Sequence, residues 1–166
     1  VIDVFHAFAA HAFKTVFVDN TAPTVSIKEP EAGKTYYEII SVSVNATDNK
    51  EISSVRFKVD NNEWLVMIYN ATDFFWKYDL NTTTLSDGQH TLMVLALDKA
   101  SNPSTTSTTL RLDNTPPTLS ILTPQSGMTV GLTLIVSIQA SDVSNISRIE
   151  FYLQDVLVYT ATNTPY

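Results

Sequence analysis

The feature that most constrains the fold of this chain is an internal repeat with an offset of 94 residues. Residues 19–27 (DNTAPTVSI) recur as residues 113–121 (DNTPPTLSI), and residues 42–48 (VSVNATD) recur as residues 136–142 (VSIQASD). Both matches share one offset and need no gap between them. Self-similarity at a fixed period is the signature of a repeated structural unit. The chain is therefore expected to fold as a series of like units.

The offset divides the chain into three parts. Residues 21–114 make one complete repeat. Residues 1–20 are expected to be the C-terminal strands of a preceding repeat, and residues 115–166 the N-terminal half of a following one. A solenoid repeat has about 20–50 residues, whereas an independent β-sandwich domain has about 100. The repeats are predicted to fold as separate beads joined by short linkers. If the polypeptide truly begins and ends at these residues, the last strands of one chain could complete the first strands of the next, as in donor-strand complementation. The favoured alternative is that the sequence is a piece of a longer polypeptide.

Within residues 21–114 the side-chain pattern predicts strands. Apolar and β-branched residues alternate with polar ones in seven short segments, and turn-forming residues such as Pro30 and Gly88 separate these segments. Alternation with a period of two is typical of half-buried strands. The expected fold class is all-β, a seven-stranded antiparallel sandwich. The residues predicted to fill its core are Val44, Val55, Phe57, Trp76, Tyr78, Val94 and Leu112.

Composition excludes several classes of function. The chain has no cysteine, which excludes disulfide frameworks, thiolate zinc sites and cysteine nucleophiles. Its net charge of −7 argues against nucleic acid as a partner, because phosphate binding needs clustered Lys and Arg. No apolar run approaches the roughly 18 residues of a membrane span, so no membrane insertion is expected in this segment. No nucleophile motif accompanies His6, His11 and His90, and no catalytic residue or enzyme activity is predicted.

Four stretches of the sequence resemble a known family. They are residues 44–48 (VNATD), 55–60 (VRFKVD), 85–98 (LSDGQHTLMVLALD) and the linker 113–118 (DNTPPT). Together they resemble the tandem Ig-like repeats of bacterial and archaeal cell-surface and secreted proteins. The resemblance implies an Ig-like sandwich in tandem beads, located outside the cell or on its surface. It also implies a role in spacing, adhesion or surface-layer assembly, or a place beside the catalytic domain of a large secreted hydrolase.

Two kinds of function follow from these observations. The leading expectation is an extracellular structural module that builds a surface layer, filament or stalk with copies of itself or other surface proteins. Prolines in both linkers favour it, because proline fixes φ and restricts the residue before it. The alternative is an accessory spacer or carbohydrate-binding module of a secreted hydrolase, or an adhesin, with cell-surface glycans as partners. Aromatic residues between Trp64 and Tyr78 would serve glycan stacking if rings such as Trp64 or Phe75 are exposed, although a sandwich core needs such residues too.

Acidic and amide residues at the bead junctions form a candidate metal site. In a seven-stranded sandwich the B–C and F–G loops lie at one end, where the preceding linker arrives, so their side chains are expected to converge there. Calcium takes six to eight oxygen ligands of this kind. The alternative is that Asp and Asn start turns by bonding nearby backbone. The possible calcium ligands are Asp19, Asn20, Asp48 and Asp98 at one junction and Asp113, Asn114 and Asp142 at the next; no other cofactor is expected.

Four N-glycosylation sequons are present, and they begin at Asn45, Asn70, Asn81 and Asn145. Asn45 is predicted on the outward side of its strand and the other three in loops. A glycan acceptor must lie at the surface of a secreted chain. The sequence therefore predicts a glycoprotein wherever the source organism modifies such sites.

One strand is predicted to carry an apolar row on its outer side. Met93, Leu95 and Leu97 alternate with the core-facing residues of that strand and would lie beside the outward Arg56 and Lys58. Exposed apolar patches usually mark interaction sites, although the aliphatic stems of Arg and Lys can cover such a row. The row is predicted to be a lateral contact with another chain or bead.

Overall fold

The computed structural model describes residues 17–162, and nearly all their regular structure is β. The N-terminal part, residues 1–16, and residues 163–166 lie outside the described residues, so most of the predicted preceding repeat is not covered. The strands of the complete repeat are β1 (Thr24–Glu29), β2 (Thr35–Tyr36), β3 (Ile39–Thr47), β4 (Ile52–Val59), β5 (Leu65–Val66), β6 (Ile68–Asn70), β7 (Phe75–Asn81), β8 (Gly88–Asp98) and β9 (Pro103–Leu112). A 3₁₀ turn, Thr82–Thr84, lies between β7 and β8. In the part of the chain that is described, no helix is long and apolar enough to cross a membrane.

These nine strands form two sheets that enclose one hydrophobic core. One sheet has the order β1-β3-β7-β6 and the other β2-β9-β8-β4-β5. The predicted all-β sandwich is confirmed, with two differences in detail. The sandwich has nine strands where seven were predicted, and β2 pairs with β9 in parallel while the other pairs are antiparallel.

The additional strands arise at two of the places where the chain passes from one sheet to the other. After the turn at Gly33, whose φ is +79°, β2 leaves the sheet of β1 and joins β9. Later, β5 pairs with β4 in one sheet and β6 pairs with β7 in the other. The chain passes between the two sheets at Met67, which is buried. The sequence did not show this second crossing, because Val66 and Ile68 are apolar although they lie exposed on either side of Met67.

The core contains residues from both sheets, as the alternation predicted. Five of the seven predicted core residues, Val44, Val55, Phe57, Val94 and Leu112, are fully buried. The prediction is wrong for Trp76 and Tyr78, which are only half-buried. They lie on β7, whose outer neighbour β6 has only three residues and covers little of them. Their rings still pack at the margin of the core, and Tyr78 meets Phe57 edge-on with 5.1 Å between ring centroids.

The remaining described residues form two separate hairpin sheets. One joins β10 (Thr118–Thr123) to β11 (Ser137–Ser141), and the other joins β12 (Ile149–Leu153) to β13 (Val156–Ala161). Both sheets have only two strands and are antiparallel. They contribute two buried apolar residues, Ile149 and Ala161.

Candidate functional site at the bead junctions

The first junction brings the incoming linker against two loops of the bead. Asp48 follows the end of β3 and Asp98 ends β8, so both side chains lie at the same pole of the sandwich. Asp19 reaches this pole on the linker. Asp19, Asp48 and Asp98 each place a carboxylate oxygen within 4.8 Å of the others. The structure thus brings together three of the seven predicted calcium ligands, and calcium binding itself stays a prediction.

Asn102, which sequence analysis did not single out, holds the linker at this pole. Its Nδ2 donates to the Asp98 Oδ2 at 2.7 Å and to the backbone carbonyl oxygens of Asp19 and Thr21 at 3.0 and 3.3 Å. Its backbone N–H donates to the Asp98 Oδ1 at 2.8 Å. Asn49 adds a bond from Nδ2 to the Thr21 Oγ1 at 3.1 Å. Two amide side chains therefore attach the linker backbone and one linker hydroxyl to the bead.

The three carboxylates have unequal surroundings. Asp98 is 1% exposed; burial raises its pKa, but hydrogen bonds from the Asn102 side chain and backbone outweigh burial, and its pKa lies below the usual value. It therefore stays ionised inside the pole. The Asp48 Oδ2 accepts from the Lys50 N–H at 2.9 Å, while its Oδ1 is buried and has no hydrogen-bond partner. Within residues 17–162 none of the three carboxylates forms an ion pair with Lys or Arg.

The second junction lies at the opposite pole, where β9 ends and β8 begins. The Asn114 Oδ1 accepts from the Glu38 N–H at 2.8 Å and from the Thr82 hydroxyl at 3.2 Å, and its Nδ2 donates to the Thr82 carbonyl oxygen at 3.1 Å. Asp87 accepts from the Asn114 N–H at 2.6 Å and from the Thr115 hydroxyl. These two bonds, the Asn114 one first, hold the pKa of Asp87 below its usual value. Both ends of the Asn114 amide are thus engaged by the bead.

The other predicted ligands lie apart from the first cluster. The Asp113 N–H donates to the Tyr36 carbonyl oxygen at 3.0 Å, and its Oδ1 is buried without a partner. The Asp142 Oδ1 accepts from the Val143 N–H at 2.7 Å. Across residues 17–162 these two carboxylates join no third acidic group. Asn20, on the same linker as Asp19, is exposed.

A buried histidine supports the second pole. His90 is 7% exposed; its Nδ1 lies 2.7 Å from the Asp60 Oδ2 and its Nε2 lies 2.8 Å from the Ser86 carbonyl oxygen. Burial lowers the pKa of His90, but Asp60 and the Ser86 carbonyl together raise it above its usual value. Both ring nitrogens donate when the ring is protonated. His90 therefore ties the β4 turn to the segment before β8.

The predicted partner surface lies on the outer face of the five-stranded sheet. Met93 is paired with Lys58 and Leu95 with Arg56 in the β4–β8 ladder. Met93 is 37% exposed, whereas Leu95, Leu97 and both basic residues are half-buried. The Lys58 Nζ also lies 5.4 Å from the centroid of the Trp64 ring. Of the three apolar residues predicted to face outward, only Met93 is exposed. Lateral contact through this row stays a prediction.

The four sequons differ in accessibility. Asn45 on β3, Asn81 at the end of β7 and Asn145 are exposed, whereas Asn70 at the end of β6 is half-buried. Asn70 and Asn81 end strands and do not lie in loops as predicted; their Oδ1 atoms accept from backbone N–H groups two residues later. The Asn81 bond caps the 3₁₀ turn and leaves its Nδ2, the atom that would carry a glycan, free of that contact. Glycosylation remains a prediction.

Two of the aromatic residues, Tyr69 and Trp76, line an open groove near the first junction. Tyr69 is 46% exposed, and its ring centroid lies 5.3 Å from that of Trp76. These rings line a groove of about 450 Å³ together with residues of the loop that follows β3. Trp64 and Phe75, the rings that glycan stacking would need at the surface, are half-buried. Of the two rings that line this groove, Tyr69 is the exposed one.

Solved structures share this architecture at low identity. The endo-beta-1,4-mannanase from Thermotoga petrophila matches with a TM-score of 0.51 and 19% identity, over 58% of this chain and 21% of that one. Fibronectin(III)-like modules of Clostridium thermocellum CbhA match with a TM-score of 0.46 and 19% identity, over 86% of this chain and 76% of theirs. The matched part of the chain thus spans about a fifth of the mannanase, and a likeness at this identity shows the fold alone. None of the curated proteins compared with the chain matches it in sequence.

A family model matches the sequence far more specifically. The model of the bacterial Ig domain covers residues 23–94 and, separately, residues 117–166. These are the two stretches that the internal repeat relates, which confirms the resemblance to tandem Ig-like repeats. The two matches together cover well over half of the sequence, and the chain belongs to the bacterial Ig domain family.

Proposed function

We propose that the chain is an extracellular structural module, a non-catalytic spacer in a tandem array whose linkers are held stiff where they enter and leave each bead. The observation that carries this proposal is the pair of asparagine clamps at opposite poles. At one pole the Asn102 side chain donates to two backbone carbonyls of the incoming linker. At the other, the side chain of Asn114 in the outgoing linker bonds Glu38 and Thr82. These two sets of bonds are called the clamps.

The clamps favour a rod-like array of beads, because they restrict the backbone of the linker residues, which would otherwise act as hinges between beads. A polar linker without such contacts samples many orientations, as flexible coils do. Here Thr21 of the incoming linker shares hydrogen bonds with Asn49 and Asn102. Asn114 of the outgoing linker shares them with Glu38 and Thr82, and Pro23 is buried. Each bond contributes about 1 kcal/mol, so several together hold one orientation against the entropy of a free linker.

The proposed setting is the cell surface or the extracellular space, where such arrays build surface layers, filaments or stalks. The proposed partners are further beads of the same kind, reached end to end through the clamped linkers and side by side through the Met93 face. Glycans on the exposed sequons Asn45, Asn81 and Asn145 would cover the sides of the rod.

The stiffness of the outgoing linker is measurable with paired spin labels. The chain contains no cysteine, so Ser41→Cys on the bead and Thr160→Cys beyond the linker give one defined label pair, both at exposed positions. Pulsed dipolar spectroscopy is expected to give one narrow distance distribution. Asn114→Ala removes the clamp and is expected to broaden that distribution several-fold.

Asn20→Ala provides the matched control, because Asn20 is the repeat counterpart of Asn114, is exposed, and lies at the other end of the bead. It should leave the distribution unchanged. A distribution that is already broad in the unmodified chain, and no broader in Asn114→Ala, would contradict the spacer proposal.

A second candidate function, glycan binding, is favoured by the groove beside Tyr69. Exposed rings stack on apolar faces of ligands while neighbouring polar groups supply hydrogen bonds, and this groove has Lys50 and Glu51 at its edge. The module would then act as the carbohydrate-binding accessory of a secreted hydrolase, or as an adhesin. Tyr69→Ala is expected to abolish binding on a glycan array, and Phe74→Ala, which removes an exposed ring outside the groove, is the control.

A further inference from the structure

We propose that His90 is a pH-dependent switch for the outgoing linker, which is held when the imidazole ring carries two protons and loosened when the ring carries one. The inference rests on the proposed spacer function, because it names what regulates the stiffness of that junction. The switch consists of His90, the two groups that its ring touches, and Asp87, whose side chain bonds the linker.

The ring of His90 lies between two hydrogen-bond acceptors. Its Nδ1 lies 2.7 Å from the Asp60 Oδ2, and its Nε2 lies 2.8 Å from the Ser86 carbonyl oxygen. An ionised carboxylate and a carbonyl can only accept, and only the doubly protonated ring donates from both nitrogens. The ring is buried, which limits the access of water that could replace either partner. The contacts of His90 are therefore all satisfied only in its charged form.

The two acceptors differ in how firmly they are fixed. The Asp60 N–H donates to the Thr91 carbonyl oxygen at 2.8 Å, and the Asp60 Oδ1 accepts from the Thr91 N–H at 2.9 Å. The Thr91 N–H first, and then the His90 ring, hold the pKa of Asp60 below its usual value against the opposing effect of burial, so Asp60 stays ionised. A hydrogen bond to a charged group is about twice as strong as one between neutral groups. When the ring loses a proton to solvent, the proton on Nδ1 therefore stays and the one on Nε2 leaves.

Loss of the Nε2 proton brings two acceptors face to face. The nitrogen lone pair then lies 2.8 Å from the Ser86 carbonyl oxygen, and the two repel. That carbonyl belongs to the peptide group that joins Ser86 to Asp87, so its displacement moves the backbone of Asp87. Gly88, the next residue, has φ +126°, and glycine has the widest backbone freedom of any residue. The segment before β8 can therefore shift at Gly88.

Asp87 carries this displacement to the linker. Its carboxylate accepts from the Asn114 N–H at 2.6 Å and from the Thr115 hydroxyl. Both donors belong to the outgoing linker, and a single peptide group separates the residue that bonds them from the carbonyl that His90 holds. Protonation of His90 thus fastens the linker through Asp87, and deprotonation loosens it.

The charged groups around the ring leave His90 as the group that titrates near neutral pH. Asp60, in the turn after β4, is the carboxylate that faces the ring. On β9, Leu110 is paired with His90 and carries no charge, and the next residue, Arg111, is exposed. The other acidic residues at this pole belong to a class that titrates near pH 4; they are Glu38, Asp87 and Asp113.

The direction of the switch follows from the surroundings of the ring. Burial lowers the pKa of His90, but Asp60 and the Ser86 carbonyl together raise it above its usual value. The protonated contacts are therefore complete below the usual histidine pKa of about 6.5 and are lost as pH rises through the raised folded value. An array of such beads is expected to be stiff in acidic surroundings and more flexible in alkaline ones.

The test applies the label pair Ser41→Cys and Thr160→Cys at pH 6 and at pH 9. The distance distribution is expected to be at least about two-fold broader at pH 9, because a linker released from its contacts samples more orientations. NMR of the His90 ring over the same range should show a protonation midpoint that coincides with the midpoint of the broadening. A distribution of equal width at pH 6 and pH 9 would overturn the proposal.

Two variants separate His90 from other effects of pH. His90→Gln removes the titrating ring and retains His6 and His11, so its label distribution should have the same width at both pH values. Asp60→Asn keeps an acceptor for the Thr91 N–H and removes the charge, and it should move the broadening to lower pH. It provides the test if His90→Gln does not fold. Broadening in His90→Gln equal to that of the unmodified chain would also overturn the proposal.

The outcome is distinguishable from that of the spacer proposal. If the label distribution is narrow at both pH values and broadens only in Asn114→Ala, the switch fails and the stiff spacer stands. If it is broad already at pH 6 and no broader in Asn114→Ala, the spacer proposal fails, and the switch that rests on it fails too.

Discussion

Residues 24–112 and residues 118–161 carry the same repeat but bury it to very different extents. In the first region Phe57 is fully buried between two sheets, whereas its counterpart Phe151 is only half-buried. Leu119 and Ile121 are 60% and 64% exposed, although the matching residues of β1 are half-buried. Similar side chains therefore reach different environments in the two regions.

The strand pairing, in contrast, is the same in both regions. Thr24 pairs with Thr47 and Thr118 with Ser141, and the β1–β3 and β10–β11 ladders both shift register three residues after these positions. The ladder of β4 with β5 also recurs, with the same positions paired, between β12 and β13. Pairing register is thus a local property of the repeat sequence. Burial additionally needs strands such as β7, β8 and β9, which residues 118–161 do not include.

The largest test of this difference places a charge at one repeat position in each region. Val55→Asp buries an unpaired carboxylate in the closed core and is expected to cost more than about 3 kcal/mol of unfolding free energy. Ile149→Asp, the equivalent change in the second region, is expected to shift the transition of the first region by less than about 0.5 kcal/mol. Both tryptophans lie in residues 24–112, so urea denaturation followed by tryptophan emission reports that region alone. Equal destabilisation by the two variants would show that the regions share one core.

A second test compares the two asparagines that the repeat relates. Asn114→Ala leaves the Glu38 N–H without its partner and is expected to cost about 1–3 kcal/mol. It also removes one of the two hydrogen bonds to the Thr82 carbonyl oxygen, which still accepts from the Leu85 N–H. Asn20→Ala is expected to change stability by less than about 0.5 kcal/mol, because Asn20 is exposed. Thermal melting of both variants measures the difference. Similar small effects would mean that the Asn114 clamp does not stabilise the bead.

A third test uses pH, because residues 115–166 contain no histidine. Asp60 and the Ser86 carbonyl raise the pKa of buried His90 in the folded chain. Its contribution is therefore complete below the usual histidine pKa of about 6.5 and is lost as pH rises through the raised folded value. The unmodified chain should lose on the order of 1 kcal/mol across that range relative to His90→Gln. Parallel melting curves for the two proteins from pH 6 to 9 would contradict this, since His6 and His11 are present in both.

The last test concerns self-association, and its variants are expected to change the stability of the fold least. Met93→Thr with Leu95→Thr should leave the unfolding transition nearly unchanged, because threonine suits strands, and should raise the dissociation constant a few-fold in sedimentation experiments. Leu119→Thr with Ile121→Thr tests the exposed hairpin of the second region in the same way. If only the second pair weakens association, the contact lies on the open hairpins and the predicted Met93 surface is wrong.

Sequence alone reached the sandwich and the grouping of Asp19, Asp48 and Asp98, because both follow from strand order. Once β3 and β8 end at one pole, the residues that follow or end them must meet the incoming linker. It did not predict that Asn102 and Asp87 hold the linkers, because a polar loop residue that bonds a linker looks the same in sequence as one that starts a turn. It placed Trp76 and Tyr78 too deep, because alternation gives the direction of a side chain and not the width of the sheet that covers it.

The central claim is that the linkers belong to the cooperative structure of the bead. Native-state hydrogen exchange by NMR tests this claim most directly. The informative backbone amides are those of Glu38 and Asn114, which donate at 2.8 and 2.6 Å across the outgoing linker, to the Asn114 and Asp87 side chains. The backbone amide of Asn102, whose side chain holds the incoming linker, donates to the Asp98 Oδ1 at 2.8 Å. The account predicts protection within about 10-fold of that in β8, because locally closed segments open together with the structure that holds them. Exchange of these amides at the rate of an unstructured chain, while β8 stays protected, would contradict it.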